Sequence, residues 1–213
     1  MVVQPHEWKQ ILLKIGQRVE EEKDYLSDLD RVIGDGDHGV SMAIGWTAIK
    51  DKLQELENEN DLGTICQSVA KAFLNAVGAS VGPLYGTAFL RGSQILKGKT
   101  TLTEEEIVKF WSAAVAGMQQ MGKAEVGDKT MMDTWVPIAA ALEHSLRNGE
   151  QWPAALDRAV EAGRKGMEST RDMVSNKGRS GRLGDRSKGH IDPGAASALI
   201  IFTAFADACK EFH

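Results

Sequence analysis

Asp30-Arg31-Val32-Ile33-Gly34-Asp35-Gly36-Asp37-His38-Gly39 separates two stretches of helical periodicity, and the rest of the chain is organised around it. Three carboxylates fall within eight residues, with glycines between and beside them. Carboxylates gathered on one short loop repel, and each resists ionising beside the others. A bound cation is the simplest way to hold them together. An all-oxygen donor set without Cys suits a hard ion, Mg²⁺ or Ca²⁺, rather than zinc. The glycines let the backbone turn tightly enough for the side chains to converge. Alone, Asp-Gly-Asp is also ordinary turn chemistry, and Asp37 is a common kind of helix cap. The metal reading therefore rests on what the other loops carry.

Outward from this loop the apolar spacing is helical throughout. Before it, Trp8, Ile11, Leu12, Ile15 and Val19 predict a helix from Pro5 to about Asp28, with Pro5 in its first turn. After it, Ile44, Ile49, Leu53 and Leu56 predict a second helix over about 40–57, and a third follows over about 62–77. The small-residue loop Gly78-Ala79-Ser80-Val81-Gly82-Pro83 opens a fourth helix reaching about Lys97. Thr103 and Glu106 form a capping box for a fifth helix carrying Ile107, Phe110, Trp111, Ala114 and Met118. A sixth starts near Met132 or Asp133, which leaves Pro137 close to its first turn. Trp152-Pro153 opens a seventh, running to about Val174, and Asp192-Pro193 caps an eighth that ends near Lys210.

No alternating strand pattern, repeat or compositional break interrupts this series. The expected fold is all-α: residues 1–213 as a single domain, an eight-helix up-and-down antiparallel bundle or barrel. Loops 30–38, 78–83, 122–131 and 175–193 follow helices one, three, five and seven. An up-and-down path puts all four at one end, which makes four scattered signals one candidate site.

A hydrophobic fraction of 42% supports a proper core, and a net charge of −5 without blocks of one sign argues against a nucleic-acid-binding surface. Cys66 and Cys209, in apolar helical settings, read as buried small hydrophobes in a reducing compartment, although spacing alone leaves a disulfide open. His6, Glu7, Lys9 and Lys14 interrupt any signal-peptide pattern. The longest apolar run, Gly194 to Ala206, is too short to span a bilayer. The expectation is a cytoplasmic protein with no membrane segment.

The loops supply the complement of the acidic cluster. Backbone N–H groups at the helix start after Gly78 suit phosphate, with Ser80 and Thr87 as hydroxyl donors. No Walker motif is present and no strand precedes the glycines, which argues against P-loop and Rossmann sites. The segment from Lys177 to His190 is glycine-rich and basic, and arginine forks match phosphate oxygens. His38 and His190 lack a Ser or Cys nucleophile, so a hydrolytic triad has little support. Trp135 and Met131-Met132 could line an adenine pocket, with core packing an equal alternative. Metal and phosphate loops together point to phosphoryl transfer, where positioning and charge neutralisation do most of the work. Asp30, Asp35 and Asp37 are the candidate metal ligands. Arg179 is the candidate catalytic residue, stabilising charge on the transferred group. No base for a substrate hydroxyl stands out. The loop lacks the spacing and terminal Glu of an EF-hand, which weakens a calcium-protein reading.

These motifs, LDRVIGDGDHG over 29–39, GPLYGT over 82–87, GKAEVGDKT over 122–130, MDTWVP over 132–137 and GDRSKGHIDPGA over 184–195, make the chain resemble the nucleotide-binding L subunits of dihydroxyacetone kinases over nearly its whole length. The resemblance implies an eight-helix barrel with ADP or ATP and two Mg²⁺ ions at one end. It carries Asp30, Asp35 and Asp37 over as metal ligands. It carries His38, Gly39, Val40, Ser41, Ser80, Val81, Gly122, Met131, Arg179, Asp192, Pro193 and Gly194 over as nucleotide-binding positions. Ser41 stands where some relatives have Asn, and Val81 where they often have Ser.

The resemblance further implies two partners. A K subunit would hold dihydroxyacetone on a histidine and supply the base, and a phosphohistidine M subunit would recharge bound ADP to ATP. In ATP-dependent relatives the two domains share one chain and nucleotide exchanges; a free-standing chain of 213 residues favours the first form. The alternatives are the L subunit of a split ATP-dependent ketose kinase, or a regulatory nucleotide-binding module without turnover that binds a transcription regulator.

Overall fold

A computed structural model describes residues 2–78, 80–177 and 180–212, leaving aside the side chains of residues 180, 182 and 183. Among the described residues the chain forms α1 (Pro5–Glu21), α2 (Lys23–Ile33), α3 (His38–Glu55), α4 (Leu62–Ala76), α5 (Val81–Leu96), α6 (Glu104–Gly122), α7 (Met132–Arg147), α8 (Trp152–Ser169) and α9 (Pro193–Phe212). Each helix from α3 to α9 packs on its neighbours in sequence, and α9 and α3 both pack on α1. That pattern closes the helices into a ring, as the up-and-down reading requires.

The first predicted helix differs. It breaks at Glu22, where φ is −95° and ψ is 6°, and resumes as α2. The polar run Glu20 to Asp24 carries no apolar periodicity, so sequence spacing does not reveal the continuation. Leu26 and Ile33, seven residues apart, are nevertheless buried. Like α1, α2 packs on α3 and α9, so it extends the same stave of the barrel. Asp30 thus sits on the last turn of a helix rather than in a loop.

The other boundaries follow their end chemistry. Asp61 accepts Thr64 N–H at 2.6 Å to start α4. Thr103 N–H donates to Glu106 at 2.8 Å while Glu106 N–H donates back to Thr103 Oγ1 at 3.3 Å. This is the capping box read from sequence. The half-lost carbonyls at the end of α3 are met by Lys9, whose Nζ donates to Leu56 O at 2.6 Å and Glu57 O at 2.8 Å. Pro137 lies inside α7, just past its first turn. It has no N–H for Asp133 O, and Gly166 of α8 packs there: a Cβ at 166 would fall 1.9 Å from that oxygen. The seventh predicted helix stops at Ser169, earlier than expected, in a 3-10 turn over Thr170–Asp172. Val2–Val3 pairs antiparallel with Leu102–Thr103 at the barrel end away from the acidic loop, a ribbon too short to show as alternation.

The barrel is filled by aromatic side chains. Trp111 and Trp135 stack with ring centroids 5.0 Å apart, and Trp8 meets Phe110 edge-on at 5.2 Å. Trimming any one to Ala would cost about 3–5 kcal/mol. The space left among them is about 20 Å³, roughly one water. Trp135 is therefore core. Cys66 and Cys209 are free and buried, and burial pushes each thiol up to about 12. No helix among the described residues is long and apolar enough to cross a membrane.

Candidate nucleotide and metal site

Beyond α2, α4, α6 and α8 the chain turns at the same end, and a pocket of about 270 Å³ opens there. All four predicted loops contribute to it. Asp30, Asp35, Asp37, His38 and Ser41 come from the first, and Ser80 and Val81 from the second. Gly122 and Met131 come from the third, and Asp192, Pro193 and Gly194 from the fourth. The N-termini of α3, α5, α7 and α9 converge on it, and such ends attract anions.

The acidic cluster is built by one aspartate holding the loop for the other two. Asp30 is buried, and its Oδ2 accepts Gly36 N–H at 2.9 Å and His38 N–H at 3.2 Å. Gly36, at φ +81°, makes the turn that returns the chain to Asp30. A Cβ at Gly34 would fall 2.0 Å from Asp30 Oδ1, so only glycine leaves that oxygen its place. Asp35 and Asp37 are exposed, and one carboxylate oxygen from each of the three lies within 4.8 Å of the others. This set fits a hard divalent ion that takes its remaining ligands from water or phosphate.

Two other buried aspartates hold loops in the same way. Asp133 accepts Gly127 N–H at 2.6 Å and Thr130 N–H at 2.8 Å, tying down the third loop. Asp192 accepts Ala195 N–H at 2.8 Å and caps α9, as its place before Pro193 predicts. Burial raises the Asp192 carboxyl to about 7, against the opposing pull of the Ala195 N–H and the Lys129 charge.

His38 is fixed by Ser197 of α9. The Ser197 hydroxyl donates to Gly194 O at 3.0 Å, so its oxygen accepts from His38 Nε2–H at 2.9 Å. That assigns the Nε2–H tautomer. Burial lowers the imidazole pKa, only partly offset by Asp30, so the ring is neutral near pH 7.

Not every expected residue lines the opening. Gly39 is buried against α2, where a Cβ would fall 1.9 Å from Lys23 O, and Val40 is exposed outside the pocket. Ser80 makes no side-chain cap on α5. Arg179 lies outside the described residues. Met131 and Met132 do line the pocket, and with Val81, Leu84, Met118 and Ala124 they form an apolar wall of it. Pocket residues not singled out from the sequence include Lys129 and Thr130, which lie within the GDKT motif.

Lys129 is 1% exposed and has φ +60°, an unusual backbone for a residue with a side chain. Its Nζ donates to Thr170 O at 2.6 Å and His190 O at 2.5 Å. These carbonyls lie at the two ends of the basic segment 171–190, which are also joined by Gly189 N–H to Arg171 O at 2.7 Å and Asp192 N–H to Thr170 Oγ1 at 3.0 Å. Within the segment, buried Ser187 accepts Ser175 N–H at 2.8 Å and donates to Gly184 O at 2.7 Å. The ends of this strap are drawn together, and among its described residues the 3-10 stretch Ser180–Ser187 packs on α2.

Comparison with known proteins places the chain in a family. A family model described as the DAK2 domain matches residues 32–207. An Escherichia coli K12 protein named PEP-dependent dihydroxyacetone kinase, ADP-binding subunit DhaL, is 38% identical over 94% of this chain and 95% of its own. A Lactococcus lactis protein named PTS-dependent dihydroxyacetone kinase, ADP-binding subunit DhaL, is 37% identical over 92% of each chain. The crystal structure of the dihydroxyacetone kinase of C. freundii superposes with a TM-score of 0.75 at 25% identity. The match spans 96% of this chain but 35% of that longer one. A second structure of the same kinase, in complex with AMP-PNP and Mg²⁺, gives a TM-score of 0.72. The chain belongs to the DAK2 domain family.

Proposed function

We propose that this chain is the ADP-binding subunit of a dihydroxyacetone kinase. It holds a nucleotide and Mg²⁺ at the barrel rim, from which a phosphoryl group passes to dihydroxyacetone on a K subunit. Bound ADP is recharged by a phosphohistidine on an M subunit. The observation that carries this reading is the convergence of three carboxylates at the pocket where four helix N-termini meet. The likeness to subunits of that name supports the choice of substrate and partners.

Asp30, Asp35 and Asp37 would hold the metal, two ions in the finer form of the proposal. The ion supplies charge neutralisation for the phosphates. Asp30 keeps the loop closed so that the two exposed carboxylates stay within reach of one another. The backbone N–H groups at Ser80-Val81 and at Gly194, with the Ser80 and Ser41 hydroxyls, offer donors to phosphate oxygens. The wall of Val81, Leu84, Met118 and Met131 offers an apolar face to the base. Neutral His38 leaves its Nδ1 as an acceptor at the metal-loop edge. Arg179 is proposed to stabilise charge on the transferred group.

The surface around the pocket supports docking of a partner over it. Of nine exposed large hydrophobic residues among those described, Val32, Val40, Ile44, Leu74, Met121 and Val126 lie at this end. Exposed apolar side chains at the pocket's end of the barrel suit a protein that must close over it and exclude water from the transfer.

Native mass spectrometry of the purified chain, followed by phosphoryl transfer with added K and M subunits, tests the reading. Retained ADP and M-dependent formation of dihydroxyacetone phosphate are expected. A chain that binds neither ADP nor ATP with Mg²⁺ would refute it. Transfer from free ATP alone would favour the exchanging, ATP-dependent form.

A further inference from the structure

The neck of the basic strap and the third loop meet beside the pocket, and one side chain joins them. Lys129 leaves the third loop two residues before Met131, and its ammonium is buried between the carbonyls of Thr170 and His190, two residues before Asp192. A lysine has three donors on a compact head and suits two converging carbonyls. No carboxylate lies within ion-pair distance of it among the described residues; Asp192 and Asp133 act on it only at longer range. Burying a charge on carbonyls alone is costly, and so is a left-handed backbone at a residue with a side chain. Both features persist here at the pocket wall. A second link runs beside it, where Asn176 N–H donates to Asp128 O at 3.4 Å.

We propose that Lys129 is a positioning residue for nucleotide binding: it pins the neck of the strap, at Thr170 and His190, to the third loop and thereby sets the adjoining Asp192–Gly194 turn at the pocket. The part of the base-facing wall that comes from α5 and α6, Val81, Leu84 and Met118, is held by helix packing and does not depend on it. This inference rests on the nucleotide reading above, and it assigns a role that the metal and nucleotide ligands do not cover.

The test uses the full chain and Lys129→Met, which keeps the length of the side chain and removes the donors. Three readouts separate the proposal from a general loss of fold. Calorimetric affinity for Mg²⁺·ADP is expected to fall by about 30-fold or more, while affinity for adenosine changes by less than about 3-fold. Tryptic cleavage between Lys177 and Lys188 is expected to accelerate at least about 10-fold at unchanged helical circular dichroism. In the wild-type chain, where folding is not at issue, Lys129 is expected to acylate at least about 10-fold more slowly than Lys177 and Lys188. Equal losses for ADP and adenosine, an unchanged ADP affinity, or a Lys129 as reactive as the strap lysines would each overturn the proposal. A wild-type chain that fails to bind ADP would instead refute the nucleotide reading, and the cleavage and acylation arms would still decide whether Lys129 pins the strap.

Discussion

Replacing Gly34 by Ala is the sharpest test of how the acidic loop works, because it puts a methyl group in place of one hydrogen and adds no charge. The new methyl would fall 2.0 Å from Asp30 Oδ1, 2.9 Å from its Cγ and 3.0 Å from its backbone oxygen. A carbon needs more than 3 Å from each, so the carboxylate must swing by at least about 1 Å. Swinging breaks its bonds from Gly36 and His38 N–H, now 2.9 Å and 3.2 Å. Each is a bond to a charged acceptor worth about 1.5–3 kcal/mol at most, and partial rehydration of the loop recovers some of it. A net loss of about 2–4 kcal/mol follows, or roughly 5–15 °C in melting temperature for a chain this size.

The functional loss should be larger than the stability loss, since the three carboxylates no longer converge. At Mg²⁺·ADP near 100 times the wild-type dissociation constant, ligand stabilises the wild type by about 2.7 kcal/mol. A variant binding 100-fold more weakly gains only about 0.4 kcal/mol under the same conditions. Thermal melts with and without Mg²⁺·ADP therefore read the effect directly. A Gly34→Ala variant with the full wild-type ligand increment would refute the role given to Asp30, whatever its melting temperature without ligand.

Two further predictions separate the carboxylates. Asp35→Asn, at an exposed position, should abolish Mg²⁺-dependent nucleotide binding and transfer while moving the unliganded melt by less than about 2 °C; near-normal transfer would contradict the metal assignment. Asp192 carries the pH signature. Its carboxyl is raised from 3.8 to about 7 by burial, so between those values the folded chain holds a proton that the unfolded chain has released. Its contribution to stability is therefore intact below about pH 4, declines as pH rises toward 7 and is flat above, by at most about 4 kcal/mol. Asp192→Asn keeps an oxygen to cap α9 and removes this term. Urea titrations should show the wild type losing stability relative to Asp192→Asn across that window, and parallel curves would refute the burial argument.

Periodicity and end chemistry made the architecture readable from the chain. Amphipathic spacing, the Thr103–Glu106 box and the Asp192-Pro193 start are local signals whose cause lies within a few residues, so the helices that they mark lie close to where spacing places them. Loop parity then placed Asp30, Ser80, Gly122 and Asp192 at one end, because an up-and-down path leaves little freedom. The break at Glu22 escaped, since Leu26 and Ile33 are buried by α3 and α9 rather than by any pattern around them. The 3-10 turn after Ser169 escaped for the same kind of reason: Thr170 is held by Lys129 and Asp192, both distant in sequence.

The residue types alone determined that this protein is helical, and that an acidic loop and a basic loop share one rim of it. Tertiary structure decided which side chains serve which purpose. Asp30 and Asp35 look alike as letters, yet one is buried holding backbone N–H groups and the other faces solvent. Trp135 and Met131 are equally apolar, yet one stacks in the core and the other lines the pocket. Lys129 reads as a loop cation and becomes a buried pin only because two carbonyls 41 and 61 residues away meet at its ammonium. A side chain's role depends on what is brought against it from far along the chain, and spacing within one segment carries no record of that.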